Sequence, residues 1–225
     1  MKAMVFDTET TGTELTDRIV EAAYLELDDK FEVVSEFNLR YDPQMPIGLG
    51  AMAAHHIMPS ELIGCPPYSD FVLPDTEYVI GHNVDFDMRM VGHEDNDEVK
   101  RICTLAIARR WLPNIGSHSQ TALMYHFMGE AAKPLVHGAH AALVDVKNCF
   151  SLLGYLQNIM DQHDVSTDTL EQLWEESERC RIPTSMTFGK HDKEPIKDLP
   201  FSYKNWLLAQ PWLDKYLRIA VEASV

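Results

Sequence analysis

The sequence predicts an α/β protein built on a mixed five-stranded sheet flanked by helices, with a small module appended at its C-terminal end. Three observations carry this reading. Three β-rich runs open the chain, at residues 2–7, 18–27 and 31–40. After them, short β-rich runs alternate with stretches of helical periodicity, the pattern of a sheet with helices on its faces. From about Cys180 the texture shifts to prolines, lysines and aromatics. That shift separates a first domain, 1–180, from a module, 181–225, expected to hold two short strands and two short helices.

Each element has its own warrant. Residues 2–7 are a short apolar strand whose last residue, Asp7, is charged. The runs 18–27 and 31–40 are joined by Asp28-Asp29-Lys30, a hairpin turn. Asp42-Pro43 and Met45-Pro46 break the pattern. Residues 49–56 and 60–71 read as helices, and 78–81 as a short strand. A helix starts near Asp85 and runs to Val91. Residues 99–104 form the fifth strand, followed by a helix that Pro113 ends. Residues 119–128 are helical. Residues 141–160 make a long helix with apolar Leu143, Val144, Phe150, Leu153 and Leu156. Residues 166–179 make a charged helix with Ser166 or Thr167 as its cap. In the tail, 186–189 and 195–196 read as strands, and 202–209 and 212–223 as helices split by Pro211.

Composition narrows the function classes. With 45% hydrophobic and 24% charged residues in 225, the chain supports one sizeable core plus a small second unit. No run of about 18 apolar residues occurs, so no membrane helix is expected. The residues before Asp7 are too few for a signal peptide. Cys65, Cys103, Cys149 and Cys180 are scattered without a C-x-x-C pair, which argues against zinc or a disulfide framework and suits a reducing cytoplasm. The net charge of −16 argues against a protein that simply coats a polyanion. It leaves room for an enzyme whose carboxylates hold divalent cations. Lys100, Arg101, Arg109 and Arg110 form a candidate basic patch; their ordinary reading is a solvated helix face.

Three groups of residues carry chemistry. The first is Asp7-Thr8-Glu9-Thr10-Thr11-Gly12. Side chains alternate along a strand, so Asp7 and Glu9 share a face. Adjacent carboxylates repel unless cations lie between them, and hard cations such as Mg2+ take oxygen ligands. Gly12 suits a turn that a ligand approaches closely. The second is Gly81-His82-Asn83-Val84-Asp85-Phe86-Asp87, where a strand runs through a polar turn into a helix. Asp87 is the candidate metal ligand and Asp85 its rival, with helix capping as the rival's ordinary role. His82 and Asn83 are read as organising the loop. The third runs from His137 through His140 to Asp145. Asp145 falls on a partly buried helix face, and a buried acid needs a partner. His140 precedes that helix on a Gly-Ala loop, a suitable place for a general base. His137 is the rival base, with loop packing as its ordinary role.

Together the three groups resemble the motifs of the DEDDh, or DnaQ-like, 3′→5′ exonucleases, the family of ribonuclease T and polymerase proofreading subunits. The likeness spans nearly the whole chain and is strongest to the exodeoxyribonuclease X-like branch. It includes Ala51-Met52-Ala53-Ala54-His55, the run from Ile102 to Arg110, and Thr187-Phe188-Gly189-Lys190. The resemblance implies a ribonuclease H-like fold and a catalytic set of Asp7, Glu9, Asp87, His140 and Asp145. The four acids would bind two divalent cations, Mg2+ or Mn2+. No tyrosine stands three residues before Asp145, which places the chain in the histidine subclass. The resemblance further implies contacts to the terminal nucleotide from Thr8, Thr10, Gly12 and His55, and Asn83 is grouped with them. The expected substrate is DNA with a 3′ end, single-stranded or at a duplex end, hydrolysed to nucleoside 5′-monophosphates. RNA trimming by the same site is the alternative, and a non-catalytic nucleic-acid-binding protein the lesser one. Nothing in the residues reads a sugar 2′ position. The tail departs from the family where His191-Asp192-Lys193 stands in a turn that commonly holds glycine. Lys190, Lys193, Lys197 and Lys204 are interleaved there with Phe188, Phe201, Tyr203, Trp206 and Trp212, a composition able to grip phosphates and stack bases. Trp206 and Phe188 are expected in the module's own core.

Overall fold

In the computed structural model, which describes residues 2–94 and 96–225, the first three strands form an antiparallel meander. They are β1 (Ala3–Thr10), β2 (Ile19–Leu27) and β3 (Val33–Arg40). β4 (Tyr78–Gly81) pairs with β1 in parallel, and β5 (Lys100–Cys103) pairs with β4 in parallel. The order β3-β2-β1-β4-β5 puts β1 at the centre. The carboxyl ends of β1, β4 and β5 therefore lie together, where open α/β sheets present their ligands.

The helices are α1 (Leu49–His55), α2 (Val84–Met90), α3 (Thr104–Trp111), α4 (Gln120–Met128), α5 (Lys133–Val136), α6 (Ala142–Asp161) and α7 (Leu170–Arg181). Two more close the chain, α8 (Phe201–Leu208) and α9 (Lys215–Glu222). The period of two along β1 sends Met4 and Phe6 into a core with Val84 and Met88 of α2. α6 packs on β1 and β2, burying Val146, Cys149, Leu152, Leu153, Leu156 and Met160. Each fully buried aliphatic side chain of this kind contributes about 1.5–3 kcal/mol. No helix of the described residues is long and apolar enough to cross a membrane.

The expected helix over 60–71 does not form. Two short 3-10 turns, Pro59–Leu62 and Tyr68–Asp70, take its place. Pro66-Pro67 lies between them, and proline both lacks a helical N–H and pushes the preceding residue out of the helical region. The cap of α7 also differs from expectation. The Gln172 N–H donates to Thr169 Oγ1 while the Thr169 N–H donates to Gln172 Oε1, each at 3.2 Å. This reciprocal Thr-x-x-Gln box makes Thr169 the cap.

The chain divides into two compact units, Met1–Ser177 and Glu178–Val225. The second has an aliphatic core of Met186, Ile196, Leu199, Leu207, Leu213, Leu217, Ala220 and Val221. Its expected strands reduce to one bridge between Ser185 and Pro195. Gly189, at φ 74°, turns the chain away, and Pro195 has no N–H to extend a ladder. Phe188 and Trp206 do not enter the core and are 38% and 48% exposed. Leu207 faces inward from α8, and the helical step of about 100° turns its neighbour Trp206 outward. Lys204 is buried, its Nζ donating to the carbonyls of Lys197 and Ser224 at 2.9 and 2.7 Å. It is therefore unavailable to a phosphate.

Candidate active site

The last residues of β1 form the floor of the site. Asp7 and Glu9 point to the face covered by α6, while Thr8, between them, points toward α2. There the Thr8 N–H and hydroxyl both donate to Asp87 Oδ1, at 2.9 and 2.8 Å. Asp87 is 3% exposed, so these two bonds orient it at the strand end. Asp85, its sequence rival, is drawn away by Arg101, whose Nη1 donates to Asp85 Oδ1 at 3.2 Å. His82 organises the loop as expected: its two ring nitrogens meet the Thr104 hydroxyl and the His118 carbonyl. Burial lowers its pKa to about 4.

Asp145 arrives from the first turn of α6. Its Oδ2 accepts the His140 backbone N–H at 2.8 Å, and its Oδ1 accepts from Gln120 Nε2 at 3.2 Å. The first bond is a local clamp that folds the loop back on the helix. It brings the His140 side chain beside Glu9 and Asp145, whose ligand atoms all lie within 4.8 Å of one another. His140 itself takes a left-handed backbone, φ 68°, directly after Gly138 and Ala139. His137 is exposed and is not part of this group.

Electrostatics ties the four acids into one cluster. Burial raises Asp7 well above the ordinary carboxylate range, and Asp87, Glu9 and Asp145 add to the shift. Glu9 is pushed up to about 9 by burial and then by Asp145, Glu21 and Asp87. Asp87 rises to about 7 through burial, opposed by its two bonds from Thr8. Burial raises Asp145 as well. Burial first, and then repulsion among the acids at Asp7, Glu9 and Asp87, leaves a site short of positive charge. A hard divalent cation fits this oxygen-rich donor set and would remove the repulsion.

The other candidates sit around the floor. Thr10 is buried and its hydroxyl donates to the Gly12 carbonyl at 2.6 Å. A side chain at Gly12 would meet Asp17 Oδ2 at 2.4 Å, and that carboxylate also accepts from Thr11 Oγ1 and the Glu14 N–H. His55 is buried, with Nδ1 accepting the Ile57 N–H and Nε2 facing the Thr10 carbonyl. Both ring nitrogens are thus engaged within the chain. Asn83 is exposed in a left-handed conformation, φ 76°, at the start of α2.

The sequence reading missed two supports. Glu21, 3% exposed on β2, accepts the Ala142 N–H at 2.9 Å and the Arg40 Nε–H at 3.3 Å. It caps α6 from the neighbouring strand. The signal was a lone acid in the apolar run 19–25. Gln120, which also donates to the Asp145 backbone carbonyl, carried no signal at all. Half of the expected basic patch dissolves: Lys100 pairs with Glu171 and Arg101 with Asp85.

A carboxylate cluster at the carboxyl end of a central strand, with an imidazole at its rim, defines a class: a phosphodiester-cleaving enzyme of the ribonuclease H-like fold. The RNase T family, described as exonuclease, matches residues 4–153, and the chain belongs to that exonuclease family. Exodeoxyribonuclease 10 of Escherichia coli strain K12 is 29% identical over 209 residues, 90% of this chain and 89% of that protein. The PolC-type DNA polymerase III of Latilactobacillus sakei is 30% identical over 132 residues, 53% of this chain and 9% of that one. Two solved structures share the fold. Exonuclease X in complex with 5′ overhanging duplex DNA superposes with a TM-score of 0.54 at 24% identity, over 76% of this chain and 99% of that one. Escherichia coli exonuclease I in complex with a dT13 oligonucleotide gives a TM-score of 0.56 at 17% identity, over 72% of this chain and 42% of that one.

Proposed function

We propose that this chain is a Mg2+- or Mn2+-dependent 3′→5′ exodeoxyribonuclease that releases nucleoside 5′-monophosphates from DNA ends. The observation that carries the reading is the convergence of Asp7, Glu9, Asp87 and Asp145 with the imidazole of His140 at one strand end. In this reading the four carboxylates hold the cations, which, when bound, supply Lewis acidity and neutralise charge on the phosphate. His140 removes a proton from the attacking water as its oxygen forms the new bond to phosphorus. The bond from phosphorus to the 3′ oxygen breaks, and that oxygen takes a proton from solvent to leave as a new 3′ hydroxyl, while His140 returns its proton to solvent. Thr8 fixes Asp87, and the Asp145–His140 backbone clamp places the base beside Glu9. Thr10, Gly12, His55 and Asn83 shape the floor that receives the terminal nucleotide. With its nitrogens engaged, His55 offers only its ring face or carbon edge.

The preference for DNA draws on the likeness to a relative named exodeoxyribonuclease and to an exonuclease solved with duplex DNA. The test is hydrolysis of 5′-labelled single- and double-stranded DNA and RNA, with Mg2+, with Mn2+ and with chelator. Stepwise shortening of DNA from the 3′ end, abolished by chelator, is expected. Chelator-resistant cleavage would overturn the metal assignment, and faster shortening of RNA would overturn the substrate.

A further inference from the structure

The second unit carries an arrangement that its own folding uses only in part. Its buried core is aliphatic, with Tyr203 packed against the edge, yet further aromatic rings cluster beyond it on the surface. Tyr203 and Trp206 are stacked, with centroids 5.3 Å apart and planes 22° from parallel. Trp206 meets Trp212 edge-on at 6.2 Å, and Trp212 meets Phe188 at 6.0 Å. Trp206 and Trp212 are 48% and 56% exposed. Lys190 Nζ stands 5.2 Å from the Tyr203 ring centre. Lys190, Ser202, Tyr203 and Trp206 line an open recess of about 320 Å³. Exposed aromatics in contact with one another are costly to leave in water, and a patch of this kind marks a binding surface.

Charge identifies the occupant. Residues 178–225 hold eight Lys and Arg against six Asp and Glu, a net of +2. Residues 1–177 then carry −18 of the total −16. The aromatic recess thus lies on the one unit that does not repel a polyanion, beside a lysine free to meet a phosphate. Flat rings with a neighbouring cation suit unpaired bases on a phosphate backbone, which stack on aromatic faces without regard to sequence.

We propose that Tyr203, Trp206 and Trp212, with Lys190, form an accessory site for single-stranded nucleic acid, separate from the carboxylate cluster. The proposal rests on the nuclease reading for its substrate class only. The test uses the full chain in chelator, so that nothing is cut, and follows binding of a long labelled oligothymidylate and of an abasic strand of equal length. Trp206→Ala is expected to weaken oligothymidylate binding about 5- to 100-fold while leaving the abasic strand unaffected. Trp206→Phe, which keeps a stacking face, restores most of the affinity. Lys190→Ala weakens both strands. Trimming of a trinucleotide in Mg2+ stays at the wild-type rate in all three variants. Equal affinity of wild type and a folded Trp206→Ala for oligothymidylate overturns the site. Displacement of bound oligothymidylate by oligoproline, with loss of the Trp206 effect, overturns it in favour of a proline-rich peptide. Absence of trinucleotide trimming in wild type would sink the nuclease reading instead, and leaves the stacking comparison to stand alone.

Discussion

Single residues at the strand end are expected to act on activity and stability in opposite directions. Asp7→Asn is expected to lower turnover by orders of magnitude while leaving the fold intact; near wild-type turnover in Mg2+ would remove Asp7 from the metal site. Without metal the same variant should melt higher than wild type at pH 8, because it deletes a charge that its neighbours oppose. The pH dependence follows from burial of these acids, with the same repulsion added to it. Glu9 moves from 4.5 to about 9 and Asp87 from 3.8 to about 7, so the folded chain holds protons that the unfolded chain has released. Their stabilising contribution is complete below about pH 4 and is lost as pH rises through 7 toward 9. Melting curves in chelator should therefore fall across that window, and Mg2+ should reverse the trend. A flat or rising profile in chelator would mean that the acids are not so closely coupled. At the rim, His140→Ala should cost roughly 10²–10⁴-fold in kcat, and His137→Ala far less. The reverse ranking would move the base to His137.

At the scale of elements, the site depends on how α6 is held. Its first turn has N–H groups with no partner within the helix, which attract a negative charge, and Glu21 on β2 supplies it through the Ala142 N–H. Glu21→Ala leaves that buried N–H unsatisfied, at a cost of about 1–3 kcal/mol, and frees the turn that positions Asp145. Lower melting temperature and lower kcat should appear together, with Glu21→Gln retaining most of both. A Glu21→Ala protein that melts with wild type would show that α6 is anchored elsewhere. Elements defined by periodicity were legible in the sequence: all five strands, and the helices that carry Asp87 and Asp145. The helix over 60–71 is absent, because Pro66-Pro67 interrupts it and leaves only two short turns. The strands of the tail failed for a different reason. Their pairing depends on Gly189 and Lys193, both at positive φ, and a backbone sign is not written in a hydrophobic pattern. Glu21 and Gln120 stayed hidden because their partners lie 121 and 25 residues away.

For the whole molecule, the two units differ in charge as much as in size. Cutting the chain after Arg181 retains all of α7 and every proposed catalytic residue. The shortened protein is expected to fold and to trim short oligonucleotides, with weaker hold on long ones; failure to fold would show that the units are interdependent. The division of charge has a further consequence for how the enzyme responds to ionic strength. A unit at −18 pushes a polyanion away over distances of about a Debye length, near 10 Å at 0.1 M salt, while the lysines of the other unit draw it in. Added salt weakens both forces, but repulsion relieved speeds encounter and attraction lost speeds escape. The rate on long single strands should therefore climb, peak and decline as salt is raised, whereas the chain ending at Arg181 should lose the optimum and show only the climb until the cation site itself is screened.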